Sequence, residues 1–127
     1  MKKRYTVAVD FDGVICHQVS EFVAPHIITD TPVMWAIDWL YGMIQDFDIV
    51  IHSCRAKTWR GRRAIRAWLK EHSIGVWYPS PGHVGLEDVV IQWGKPPALI
   101  YLDDRAIRFS GTFPSKQEIY NAKPWLK

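Results

Sequence analysis

The chain is short of cysteine. Its only two, Cys16 and Cys54, form neither a CxxC pair nor any zinc-ligand spacing. Reduced thiols in a reducing compartment follow, and a disulfide scaffold is excluded. No apolar run approaches the roughly 20 residues of a membrane span. The N-terminus "MKKRYTVAVDFDG" places basic residues before apolar ones, but that run is short, carries Asp10 and Asp12, and meets no small-residue cleavage site, so it does not read as a signal peptide. The expectation is a cytoplasmic protein with no membrane partner. There is no internal repeat, low-complexity tract or linker, and 127 residues suit one domain spanning 1–127 with its own core.

Neither sign of charge dominates. A net charge of +3 tolerates an anionic ligand without demonstrating nucleic-acid binding. Tryptophan is abundant, at seven residues. The plain expectation is that most fill the core; the alternative is stacking on a base or a partner.

Hydrophobic patterning alternates between strands and helices. Residues 5–11, "YTVAVDF", form a continuous β-rich apolar run, as in a strand covered on both faces. Residues 17–31 lack a period and hold Pro25, which predicts a loop or short flap. "TPVMWAIDWLYGMIQDF" predicts a helix with Thr31 as N-cap and Pro32 as its first residue. Val33, Ile37, Leu40 and Ile44 should face the core. Trp35, Trp39 and Met43 form a second stripe that either widens the buried face or meets another copy in a homodimer. Residues 47–54, "FDIVIHSC", predict a second buried strand. Thr58 should cap the helix "WRGRRAIRAWLKEH", with Ile65, Trp68 and Leu69 inward. Its Arg62, Arg63, Arg66 and Lys70 read as a solvated face, with phosphate binding as the minor alternative. Residues 75–97 predict loops around one short strand in "VVIQW"; "ALIYLDD" predicts a third strong strand; Ser115 with Glu118 forms a capping box opening a last short helix. The expected fold class is α/β: a three-layer sandwich around a mainly parallel sheet, whose ligands bind beyond the carboxyl ends of the strands.

Two strands end on acids, and parallel strands would bring both pairs to one edge. Asp10 and Asp12 are two apart, so in extended backbone they point the same way. Asp103 and Asp104 would lie beside them. Each carboxylate pair costs on the order of 1–4 kcal/mol at modest dielectric. A hard divalent cation relieves that, and Mg²⁺ fits because it needs few protein carboxylates. Ser53 ends the second strand, Arg55 follows it, and Lys95 precedes the third. Carboxylates, a metal, a hydroxyl and cations suit a phosphate monoester.

The four motifs "VAVDFDGV", "IVIHS", "GKPPA" and "LIYLDD", in that order, resemble those of a haloacid-dehalogenase (HAD) superfamily phosphatase, over nearly the whole chain. The resemblance implies a HAD-like, Rossmannoid hydrolase domain. It makes Asp10 the nucleophile that forms an aspartyl-phosphate. Asp12 would protonate the leaving oxygen and then deprotonate water. Asp10, the main-chain carbonyl of Asp12, and Asp104 assisted by Asp103 would hold Mg²⁺. Ser53, Lys95, Arg55 and Gly13 would surround the phosphate, Gly13 also permitting the tight unwinding after the first motif. The gaps at 14–31 and 56–94 are too short for a cap domain, so the chain resembles the small uncapped subclass. The substrate is then an open-site phosphate ester, a nucleotide or a polynucleotide end among the options.

Bland readings stand beside these. Arg55 could pair with Asp103 or Asp104 instead of phosphate, Lys95 could be a loop lysine beside its two prolines, and Cys54 reads as inert packing. His17, His52 and His83 form no ligand spacing; His17 or His83 could line the mouth. A response-regulator receiver orders its acids differently, and a Toprim domain needs a glutamate on an earlier strand. The remaining rival is a HAD fold kept as a catalytically silent binding or assembly module.

Overall fold

The structure is a computed structural model that describes residues 3–73 and 85–122. The elements run β1 (Thr6–Asp10), α1 (Ala36–Met43), β2 (Asp48–His52), α2 (Trp59–His72), β3 (Val90–Gln92), β4 (Ile100–Leu102) and α3 (Lys116–Asn121). Short 3₁₀ turns at Cys54–Lys57 and Leu86–Asp88 precede α2 and β3. The sheet is four-stranded in the order β3-β2-β1-β4, with every pairing parallel. The architecture is therefore α/β, with the chain crossing over between strands as a parallel sheet requires.

β1 runs through the centre, and Val7, Ala8 and Val9 are buried as its unbroken apolar sequence anticipates. Register pairs Asp10 with His52 on one side and Val9 with Leu102 on the other, so β1, β2 and β4 end together. α2 begins where expected: Thr58 accepts a hydrogen bond from the Gly61 N–H, and Ile65, Trp68 and Leu69 are buried. Trp68 meets Phe11 edge-on at 5.0 Å between ring centroids. Ser115 likewise caps α3 by accepting from the Glu118 N–H, but α3 buries no residue.

Three expectations give way. α1 starts at Ala36, not Pro32, and Thr31 is not its N-cap. The Thr31 carbonyl instead accepts the His17 N–H at 2.9 Å, Val33 donates to Ile15 at 2.8 Å, and Pro32 bridges Cys16. Pairing with residues 15–17 holds this stretch extended, and Trp35 then turns into the helix through a left-handed conformation, φ 70°. Ile37, Leu40 and Ile44 are buried as expected, whereas Val33 is only partly so. The tryptophans do not mainly fill the core: among the described residues Trp68 is buried, while Trp35, Trp39, Trp59 and Trp93 are exposed. The cations of Arg63 and Lys57 lie over the rings of Trp59 and Trp93. Finally, β4 is a three-residue edge strand paired with β1 and exposed throughout.

Candidate metal centre and cleft

Immediately after Asp10 the chain leaves the sheet in a tight turn. The Phe11 carbonyl accepts the N–H groups of Ile15 and Cys16, both at 3.0 Å, and Gly13 donates to the Cys16 carbonyl at 2.8 Å. Gly13 has φ +88°, and a Cβ built on it would stand 2.3 Å from Asp104 Oδ2. Glycine is needed twice here: for the backbone conformation and for the room that the Asp104 carboxylate occupies.

Because β1 and β4 are neighbours, Asp10 meets the acids that follow β4. One carboxylate oxygen each from Asp10, Asp103 and Asp104 lies within 4.8 Å of the others. Burial and the charges of Asp103 and Asp104 push the Asp10 carboxyl up to about 7, against a hydrogen bond from the Phe11 N–H. Asp104 Oδ1 is buried with no hydrogen-bond partner. Asp103 accepts the Arg105 N–H at 2.7 Å, which fixes the turn after β4. Clustered acidic oxygens with one left unsatisfied fit a hard divalent cation with oxygen ligands.

The second acid of the DxD pair behaves differently. Asp12 lies in the turn just beyond β1 and borders the same cleft as Asp10. Arg55 Nε donates to both Asp12 carboxylate oxygens, at 3.0 and 3.1 Å. The Asp12 side chain thus stands outside the three-carboxylate group. Arg55 is itself buried, 8% exposed. Its Nη1 donates to the carbonyls of Ala24, Pro25 and Ile27, and the Phe22 ring lies 5.0 Å from the guanidinium. The structure therefore uses Arg55 to tie the 17–31 flap to Asp12; it pairs with neither Asp103 nor Asp104. The flap is closed at its base by the Asp30 carboxylate, which accepts from Ser20 and Val19 and is held below the usual carboxylate range by the Ser20 hydrogen bonds.

Asp10, Asp12, Ser53, Arg55 and Asp103 line one cleft of about 320 Å³, with Phe22 of the flap forming part of its wall. Ser53 is buried, and its hydroxyl accepts the Arg55 N–H at 3.1 Å. Cys54, expected to be inert packing, is exposed and also lines the cleft; Cys16 is the buried cysteine, its thiol pushed up to about 12 chiefly by burial. Lys95 does not join this group. Its ammonium lies 4.5 Å from the Tyr101 ring centroid, in a neighbouring cavity. Of the basic helix, Arg62 donates to the Ala56 carbonyl and Arg66 to those of Leu86 and Glu87, so both staple neighbouring turns.

Sequence reasoning gave no role to His52. It ends β2 beside Asp10, and its Nε2 is buried without a hydrogen-bond partner. The available signal was its place as the residue before Ser53 at a strand end. His83 lies outside the described residues. No helix among the described residues is long and apolar enough to cross a membrane. Comparison with protein-family models, curated proteins and solved structures gave no match.

Proposed function

We propose that the protein is a Mg²⁺-dependent phosphatase of the HAD-like, uncapped kind, cleaving a phosphate monoester through an aspartyl-phosphate. The observation that carries this reading is the meeting of Asp10 with Asp103 and Asp104 across adjacent parallel strands. Asp10, Asp103 and Asp104 would hold the ion, which when bound supplies positive charge to a phosphate beside the acids.

An Asp10 carboxylate oxygen attacks phosphorus, and the bond between phosphorus and the ester oxygen breaks. The departing oxygen takes a proton from Asp12, and Asp12 then removes one from the water that cleaves the acyl phosphate. Asp12 borders the same cleft, and donating a proton requires its pair with Arg55 to open. Ser53 lies within the cleft, where a hydroxyl suits a phosphate oxygen.

Two observations favour the silent binding module as a second reading: Arg55 occupies both oxygens of Asp12, and Lys95 faces Tyr101 outside the cleft. Turnover of p-nitrophenyl phosphate with Mg²⁺, lost with chelator and in Asp10→Asn, is the result expected of the phosphatase. Absence of turnover on small and bulky esters, with intact Mg²⁺ binding, selects the module.

A further inference from the structure

Beside the acidic cleft lies a larger cavity of about 840 Å³. His52 and Asp103 border both spaces, so the two are contiguous at the carboxyl ends of the strands. The cavity wraps the edge strand β4, since Ile100 and Tyr101, which point to opposite faces, both line it. Ala8 pairs with Tyr101 and Asp10 with His52, and residues two apart on β1 share a face. Tyr101 and His52 therefore stand on the same face as the Asp10 carboxylate.

The lining combines three kinds of group. Lys95 and Arg108 bring positive charge. Tyr101 and Phe109 bring aromatic surface, and Phe109 is 60% exposed. Ile100 and Ile107, also lining it, are each at least half exposed. His52 stands at the border with the cleft, its Nε2 buried and out of a ligand's reach. The lining mixes polar and apolar surface in similar measure, and the volume lies in the range of small-molecule sites. A simple phosphate would leave this space empty.

We infer that this cavity receives the alcohol part of the substrate, and that this part carries an aromatic or heterocyclic ring system, the chemistry of a nucleoside. The inference rests on the phosphatase reading for the position of the phosphate, at Asp10. A phosphate there can send its ester group past His52 and Asp103 towards Phe109, since the Tyr101 ring already carries the Lys95 ammonium. Flat rings stack on such side chains at about 1–3 kcal/mol per base, which at the upper end is more than a tenfold preference. Lys95 and Arg108 attract the anionic ester as a whole, with or without a base.

The test compares adenosine 5′-monophosphate with ribose 5-phosphate, which has the same phosphate and sugar but no base. Binding to the full chain is measured by calorimetry with Mg²⁺ in the Asp10→Asn background, so that neither ligand is consumed. The expected result is at least about tenfold tighter binding of the nucleotide. Phe109→Ala should reduce that ratio severalfold and leave the affinity for ribose 5-phosphate unchanged, whereas Arg108→Ala should weaken both ligands alike. Equal affinity for the two ligands, or a preference unmoved by Phe109→Ala, overturns the inference. Turnover of p-nitrophenyl phosphate by the wild type is read separately. Turnover without base preference defeats the cavity assignment and leaves the phosphatase standing. Base preference without turnover does the reverse. Failure of the protein to bind either ligand defeats the assignment outright.

Discussion

Replacing Asp10 with asparagine removes one charge from a crowded set of carboxylates and should stabilise the metal-free protein above neutral pH. Two routes give the size. With oxygens within 4.8 Å and an effective dielectric of about 40, each like-charge pair costs roughly 1.7 kcal/mol, and Asp10 faces two such neighbours. A carboxyl moved from 3.8 to about 7, first by burial and then by Asp103 and Asp104, carries about 4 kcal/mol of linkage at about 1.4 kcal/mol per pH unit. Asp10 is only partly buried, so solvent screening reduces either figure to about 1–2 kcal/mol. The sign follows from proton uptake. Between pH 3.8 and about 7 the folded protein holds a proton on Asp10 that the unfolded chain has released. Stability from this group is therefore present at low pH, falls as pH rises through that window, and is fully lost above it. Thermal unfolding in chelator at pH 5 and pH 8 checks this. Asp10→Asn should unfold about 3–8 °C above wild type at pH 8 and differ less at pH 5. Mg²⁺ should raise the wild-type midpoint at pH 8 more than that of the variant. A wild type equally stable at both pH values in chelator, or an Asp10→Asn protein less stable at pH 8, would refute the crowding of these three acids.

Three further outcomes test the surrounding construction. Gly13→Ala, with φ +88° and a Cβ 2.3 Å from Asp104 Oδ2, should displace that carboxylate, weaken Mg²⁺ binding at least tenfold by calorimetry, and lower stability by about 1–2 kcal/mol. Gly61→Ala puts a Cβ 1.7 Å from the Arg55 carbonyl; urea unfolding should register a loss of about 3 kcal/mol, in the range of serious overpacking. Arg55→Ala leaves Asp12 unpaired and three flap carbonyls without their donor; it should cost about 3–5 kcal/mol and speed proteolysis within residues 17–31, with stability in urea and limited proteolysis as readouts.

Much of the frame was legible because local and tertiary preferences agree there. The apolar run of β1, the cap at Thr58 and the inward stripe of α2 all appear as their residues anticipate. The convergence of Asp10 with Asp103 and Asp104 needed only parallel pairing of β1 with β4. What escaped depends on long-range partners. Pro32 looks like a good first helical residue, but residues 15–17 capture its neighbours as extended chain before the helix starts. Arg55 looked like a phosphate ligand because sequence does not reveal that the flap folds back to present three carbonyls to it. Lys95 precedes β4 as expected of the third motif, yet the ring of Tyr101 holds its ammonium in the adjoining cavity. The exposure of four tryptophans was invisible for a related reason: composition reports how much aromatic area exists, not which neighbours cover it.

The grip of Arg55 on the flap has one more consequence. It takes hold of residues 24, 25 and 27 by their main-chain oxygens and asks nothing of their side chains. Substitutions there that preserve the path of the backbone leave the anchor intact. The flap can therefore change its chemical character at these positions while the latch beneath it stays the same, so the make-up of the flap and its attachment are separable traits of this chain.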